Sequence, residues 1–130
     1  MGRRREIAID IGLWILSLFL ISIFLRQGMA KFSDTSGWAA AFRGWHYPVW
    51  FRILVGVAET TAAILLVTRR TATFGAIIII VVMLGGMATH VRTGHPGQVT
   101  SEVLPLVVAT LVALGRRRSM WRPHTAEVAA

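Results

Sequence analysis

The chain has 130 residues, of which 55% are hydrophobic and only 15% charged, with a net charge of +8 and a mean hydropathy of +0.62. A soluble domain of this size cannot bury so much apolar surface, so the composition predicts an all-α integral membrane protein with a single domain over 1–130. Cysteine is absent, which excludes disulfides, thiol chemistry and Cys-ligated zinc or iron–sulfur clusters within this chain. Any redox role would need a bound organic cofactor, haem or a partner subunit.

Four apolar segments approach the roughly 20 residues that a transmembrane helix requires. In chain order they are predicted at 7–25, with a helix that can continue toward Phe32, and at 48–68, 71–91 and 99–114. A flexible tail is predicted at 120–130. The first segment follows three arginines, as a signal peptide would, but it is long, lacks a good cleavage site and is followed by further spans. The expected architecture is therefore a four-transmembrane-helix bundle that retains its first helix.

The arginines cluster at the ends of the apolar runs, a pattern typical of topology signals and of contacts with lipid headgroups. No basic face or motif indicates binding to nucleic acid. More of the arginines and lysines fall on the side that holds both chain ends than on the opposite side. The positive-inside rule then predicts a multi-pass protein of the bacterial cytoplasmic (inner) membrane with both termini in the cytoplasm.

The longest connection, at 26–47, lies between the first two spans and is rich in aromatic residues. Tryptophan and tyrosine commonly form a belt at the membrane interface, which is the first interpretation of this segment. The second is an amphipathic stretch at 37–44 that caps the mouth of a cavity. The residues favour the belt for most of these side chains and a capping role for about two of them.

Glu59 lies inside the second apolar segment and is the most informative residue of the chain. An ionisable side chain in hydrocarbon costs roughly 2.5 kcal/mol or more, so it normally faces the bundle interior and has a partner. Helical spacing places Arg52 and Gly56 on the same face as Glu59. At the end of the third span, Gly86 and His90 share a face in the same way.

Two interpretations of these polar residues stay open. In the first, Glu59 pairs with Arg26, Lys31 or Arg52 and holds the helices together. In the second interpretation, the polar residues surround a pocket that opens to the outer side of the membrane. The pocket hypothesis assigns catalytic roles to Glu59 and His90 and ligand binding to Arg26, Lys31, Arg52, Gly56 and Gly86. No metal site is predicted, because His90, His95 and Glu102 match no tight zinc motif and no two histidines face each other within the membrane for haem.

Four segments of the chain match, in order, the motifs of one known family. The run from Arg26 to Lys31 and Phe32 is similar to the signature that closes that family's first helix, and Gly44 to Pro48 is similar to the start of its second. Gly56–Glu59 resembles its G-x-x-E, and Met83–Gly94 resembles the end of its third helix. Together these segments resemble the DoxX and DoxX-like family of membrane proteins, over about 11–114. This chain departs from the family in lacking cysteine and in having Gly86 where alanine is usual.

The resemblance implies a four-helix membrane bundle but no single activity. Relatives include a subunit associated with a quinol oxidase, a thiosulfate:quinone oxidoreductase, members of oxidative-stress complexes and assembly factors. The leading hypothesis is a protein that binds a quinone or similar amphipathic molecule and supports a redox partner. His90 would hydrogen-bond a quinone carbonyl, Glu59 would relay a proton, and Arg52 or Lys31 would stabilise the reduced headgroup. Whether the protein is itself a quinone-linked oxidoreductase or a subunit of one is left open.

Two other functions stay open at this point. One is a non-catalytic assembly or interaction subunit whose polar cluster is internally satisfied and whose aromatic loop, from Trp38 to Trp50, meets a protein partner. The other is a small four-helix multidrug-type transporter, although that class usually keeps its carboxyl in the first helix, where this chain has only Asp10. The expected partners are membrane lipids and another membrane protein. Small-residue faces are compatible with a homodimer without selecting one.

Overall fold

A computed structural model describes residues 2–120, all of whose regular elements are helices. They are α1 (Gly2–Ala30), α2 (Gly37–Gly44), α3 (Val49–Leu65), α4 (Ala72–Arg92), a 3₁₀ turn (Pro96–Val99) and α5 (Thr100–Met120). The four long helices match the four predicted segments, with α1 and α5 extending beyond them and α3 ending earlier. Apart from its first residue, the tail predicted at 120–130 lies outside the described part of the chain.

The four long helices pack in a ring in which α1 meets α3 and α5, and α4 meets α3 and α5. The core combines large side chains of α1, such as Leu20 and Phe24, with small ones of α3 and α4, such as Ala62 and Ala76. The opposite faces expose many large aliphatic side chains, among them Ile15 and Leu111. Such an extensive apolar exterior is suited to lipid rather than to water.

Three helices are long and apolar enough to cross a membrane within the described residues: α1, α4, and α5 together with its preceding 3₁₀ turn. Over residues 2–120 the protein is thus all-helical, with three candidate spans. The remaining long helix, α3, has 17 residues and rises about 26 Å, less than the roughly 30 Å hydrocarbon core. A fourth span and the cytoplasmic placement of both termini stay predictions.

Asp10 connects three elements at the end of the bundle that lies away from α2. Its two carboxylate oxygens accept hydrogen bonds from Arg69 Nη2, at 2.5 Å in the α3–α4 turn, and from Arg116 Nη1, at 2.6 Å in α5. The Arg116 side chain is only 5% exposed, and its guanidinium lies over the Trp14 ring. This carboxylate therefore ties α1 to the turn and to α5.

Replacing Asp10 by asparagine should lower the free energy of unfolding by about 1–2 kcal/mol, because it leaves the buried Arg116 charge without an anion. Unfolding in mild detergent, followed by circular dichroism, measures the change. Glu6→Gln is the matched control, since Glu6 is exposed on the same helix and has no ion pair within residues 2–120. Equal stability of the two variants would contradict a structural role for Asp10.

Candidate functional site

A buried ion pair joins the end of α1 to the middle of α3. Lys31, which follows the last residue of α1, donates from Nζ to both carboxylate oxygens of Glu59, at 3.0 Å to Oε1 and 2.8 Å to Oε2. Each side chain is 2% exposed. Because both Glu59 oxygens are engaged, this carboxylate and its ammonium neutralise each other inside the bundle.

Two glycines allow the backbones of α1 and α3 to approach closely enough for this pair to form. A Cβ atom at Gly28 would lie 2.5 Å from Thr60 Oγ1 and 2.9 Å from the Thr60 backbone nitrogen. A Cβ at Gly56 would lie 3.0 Å from both the Gly28 carbonyl oxygen and Lys31 Cβ. The lysine can therefore extend along α3 to Glu59, three residues beyond Gly56.

A second acid–base pair joins the end of α4 to the start of α5. His90 Nε2 lies 3.4 Å from Glu102 Oε1, and the two side chains are 9% and 15% exposed. Gly86, one turn before His90, leaves room for the acid, since a Cβ there would lie 3.1–3.3 Å from the carboxylate atoms of Glu102. The other ring nitrogen, Nδ1, is buried and has no hydrogen-bond partner within residues 2–120.

Aromatic side chains of α2 and of the segment leading into α3 lie over both pairs. The Lys31 ammonium sits 3.7 Å from the centre of the Trp38 ring, and Trp45 meets the His90 ring edge-on, with centroids 5.7 Å apart. Phe42 contacts Trp45 and Tyr47 and joins them into one cluster. The α2 helix thus occupies the stretch at 37–44 that the sequence suggested as a cavity cap.

Tyr47 fixes the aromatic cluster to α4. Its hydroxyl lies 2.8 Å from Thr89 Oγ1, and the Arg92 guanidinium lies over its ring. The hydrogen bond with Thr89, helped by Arg92, lowers the pKa of the Tyr47 phenol below its usual value despite some burial. Tyr47 therefore holds the segment between α2 and α3 against the end of α4.

Beneath these aromatic rings lies a cavity of about 570 Å³. Both acid–base pairs border it, and residues of all four long helices contribute to its wall. Apolar side chains such as Val55 and Val82 make up most of the remaining surface. The whole lining consists of Phe24, Gln27, Lys31, Trp38, Phe42, Trp45, Tyr47, Phe51, Val55, Glu59, Val81, Val82, Met83, Gly85, Gly86, Thr89, His90, Ser101, Glu102 and Pro105.

The structure brings four of the predicted site residues to this cavity: Lys31, Glu59, Gly86 and His90. Three lie elsewhere. Arg52 is buried and pairs with Asp34 in the loop, at 2.5 Å. Gly56 lies in the α1–α3 contact. Arg26 donates to Ser22 on its own helix and borders a separate surface depression.

The residue that the sequence pattern underrated is Glu102, which was considered only as a zinc ligand. It lies 12 positions after His90, across the Pro96–Val99 turn, and that separation alone does not predict a contact. The sequence signal for this contact is an acid in the first turn of an apolar helix, shortly after a histidine in the last turn of the preceding helix. Within residues 2–120, no three histidine or acidic side chains come together as a metal site.

The arrangement agrees with a comparison of the chain with known families. The sequence profile of the DoxX-like family matches residues 15–115. The chain belongs to the DoxX-like family. This match includes parts of α1 and α5, all of α3 and α4 and every residue that lines the cavity. It confirms the resemblance drawn from the four sequence segments. Comparison with curated proteins and with solved structures finds no significant match.

Proposed function

We propose that this DoxX-like protein binds a quinone or a similar amphipathic molecule in the cavity beneath α2 and supports a redox partner. We place it in the bacterial cytoplasmic membrane, with both termini in the cytoplasm and the cavity toward the outer side. The observation that carries the proposal is one cavity that combines two acid–base pairs, Lys31–Glu59 and His90–Glu102, with an aromatic cover.

The size and lining of the cavity suit such a ligand. Its volume of about 570 Å³ falls within the roughly 300–1,000 Å³ typical of small-molecule sites. Aromatic side chains such as Trp45 and Phe51 offer faces and edges for a flat ring. Aliphatic residues of α3 and α4, such as Val55 and Val82, suit an apolar tail.

One of the two acid–base pairs is placed to orient a ligand, and the other holds the helices together. His90 and Glu102 are the groups best placed to meet a ligand headgroup, because they are linked by one long hydrogen bond only. Lys31 and Glu59 are engaged by each other and by Trp38, so their role in this proposal is to hold α1 against α3 beside the cavity. Reduction of a quinone takes two electrons and two protons. In this proposal the electrons come from the redox partner, because a chain without cysteine has no thiol couple of its own.

Filling the cavity should weaken quinone binding at least about tenfold, equivalent to about 1.4 kcal/mol. Val55→Phe places a ring in the cavity, whereas Val57→Phe adds the same ring to the exposed face of α3. Quenching of tryptophan fluorescence by a short-chain benzoquinone measures binding to detergent-solubilised protein, since Trp38 and Trp45 line the cavity. Equal affinity in both variants, or no saturable quenching of the wild type, would count against the proposal.

An assembly or interaction subunit is the second candidate, and one observation favours it. The buried cations pair within the chain: Lys31 with Glu59, Arg52 with Asp34 and Arg116 with Asp10. Such pairing fits a purely structural role. In the segment from Trp38 to Trp50, Trp38 and Trp45 line the cavity, which leaves Val49 and Trp50 as the large exposed apolar side chains.

Mass spectrometry of protein purified from native membranes in mild detergent separates the two candidates. A stoichiometric small molecule that Val55→Phe displaces and Val57→Phe retains supports the ligand site. A stoichiometric membrane-protein partner without any small molecule favours the assembly role. In that case Trp50→Ala should release the partner.

A further inference from the structure

We infer that the cavity takes its ligand in a form that donates a hydrogen bond to Glu102, so that a hydroxyl-bearing amphiphile such as a hydroquinone binds more tightly than the matching quinone. This inference rests on the proposed function and specifies which redox form the same site prefers. It follows from the donors and acceptors that remain unused around the cavity.

The Lys31–Glu59 pair has few hydrogen-bonding groups left for a ligand. Lys31 Nζ directs hydrogen bonds to both Glu59 oxygens, and the Trp38 ring covers the same ammonium at 3.7 Å. An ammonium has three N–H donors. Two of them bind the carboxylate, and the ammonium also makes a cation–π contact with the face of the Trp38 ring. The pair carries no net charge, and a ligand would have to displace one of these contacts to use it.

His90 meets Glu102 through one ring nitrogen. His90 Nε2 lies 3.4 Å from Glu102 Oε1, while Nδ1 is buried and has no partner within residues 2–120. A proton on Nε2 is donated to Glu102 Oε1. This imidazole nitrogen is therefore already used by the acid.

Glu102 consequently keeps one oxygen, Oε2, that the other groups facing the cavity do not engage. Those groups are the Lys31–Glu59 pair, the His90 ring, which meets Oε1, and the Tyr47 hydroxyl, which is bonded to Thr89. Glu102 Oε2 accepts no hydrogen bond from residues 2–120, and Gly86 presents no side chain beside it. As a carboxylate, Glu102 thus offers a free acceptor oxygen to the cavity.

Such an acceptor discriminates between the two redox forms of a quinone. The oxidised form has only carbonyl acceptors and would face the carboxylate with no hydrogen to offer. It would have to use neutral donors such as the Gln27 amide, which also lines the cavity. Hydrogen bonds to charged groups are about twice as strong as neutral ones. A preference of about tenfold for the hydroquinone follows from that difference.

The test measures dissociation constants for a decyl-substituted benzoquinone and its hydroquinone, under argon, by tryptophan quenching of the detergent-solubilised protein. The wild type should bind the hydroquinone about tenfold more tightly. Glu102→Gln should bring the two constants close together, and Glu102→Asp, which keeps the charge, should retain most of the preference. Thr110→Val, on the exposed side of α5, is the control for changes in that helix.

The outcomes separate this inference from the proposed function. If neither form binds the wild type, the proposed function fails, and the inference fails with it. If both forms bind equally, or the quinone binds more tightly, only the preference is overturned. A preference that survives in Glu102→Gln, or that is lost equally in Glu102→Asp, would overturn the role of this charge, provided that the variants elute as the wild type does on size exclusion.

Discussion

Replacing Lys31 by methionine should lower the free energy of unfolding by about 3–5 kcal/mol, because it leaves the Glu59 carboxylate buried without its cation. Glu59→Met should have a similar effect, because it leaves the Lys31 ammonium buried without its anion. The double replacement should recover most of the loss, to within about 1 kcal/mol of the wild type, since two apolar side chains of suitable length then fill the space. Unfolding in detergent by increasing dodecyl sulfate, followed by circular dichroism, measures all three variants.

This comparison reports on function as well as stability. A double variant that folds but no longer binds the short-chain quinone would show that the pair shapes the binding site. Unchanged binding would restrict Lys31 and Glu59 to holding α1 against α3. Single variants that are as stable as the wild type would contradict the buried ion pair itself. Lys31→Arg adds a check, because a guanidinium keeps the charge but replaces the compact ammonium between Glu59 and Trp38 by a larger planar group.

The expectation that Glu59 relays a proton has to be reconsidered in view of this contact. Both of its oxygens accept from Lys31, so transfer through Glu59 would require the pair to separate. Glu102 carries a free oxygen toward the same cavity and needs no such rearrangement. In our proposal the two carboxylates therefore have different roles: Glu59 holds the helices together, and Glu102 contacts the ligand.

Hydropathy predicted the long helices because a span of about 20 apolar residues has few alternatives in lipid. The predicted ends of the helices were less accurate, because a helix continues past its apolar stretch when the flanking polar residues also adopt helical geometry. The first helix, with a span predicted at 7–25 and a continuation toward Phe32, ends at Ala30 but starts earlier than the span, at Gly2, for this reason. The second, predicted at 48–68, stops at Leu65, because the chain turns to start α4 at Ala72.

The sequence identified Glu59 as a buried acid but could not choose its partner among Arg26, Lys31 and Arg52. That choice depends on how closely two backbones approach, and on a loop that presents Asp34 to Arg52. Helical spacing places Arg52 and Glu59 on one face, yet seven residues separate them by about 10 Å. Lys31 reaches Glu59 instead because Gly28 and Gly56 remove the side chains that would keep α1 and α3 apart.

Gly28→Ala should therefore destabilise the protein by about 1–3 kcal/mol and weaken the Lys31–Glu59 contact at the same time. The added Cβ would lie 2.9 Å from the Thr60 backbone nitrogen, and a backbone atom cannot move aside as the tip of a side chain can. We expect α1 to move away from α3, which relieves this clash. The change in unfolding free energy in detergent measures the effect.

Gly12→Ala is the matched control on the same helix, since a Cβ there meets nothing within 4 Å. Alanine favours a helix over glycine by about 1 kcal/mol, so this variant should be as stable as the wild type or slightly more so. If Gly28→Ala acts only through the ion pair, it should cost little in the Lys31→Met/Glu59→Met background. If it acts through backbone contact, as the geometry requires, its effect should persist there. A Gly28→Ala protein as stable as Gly12→Ala would contradict the close approach of α1 and α3 on which the buried pair depends.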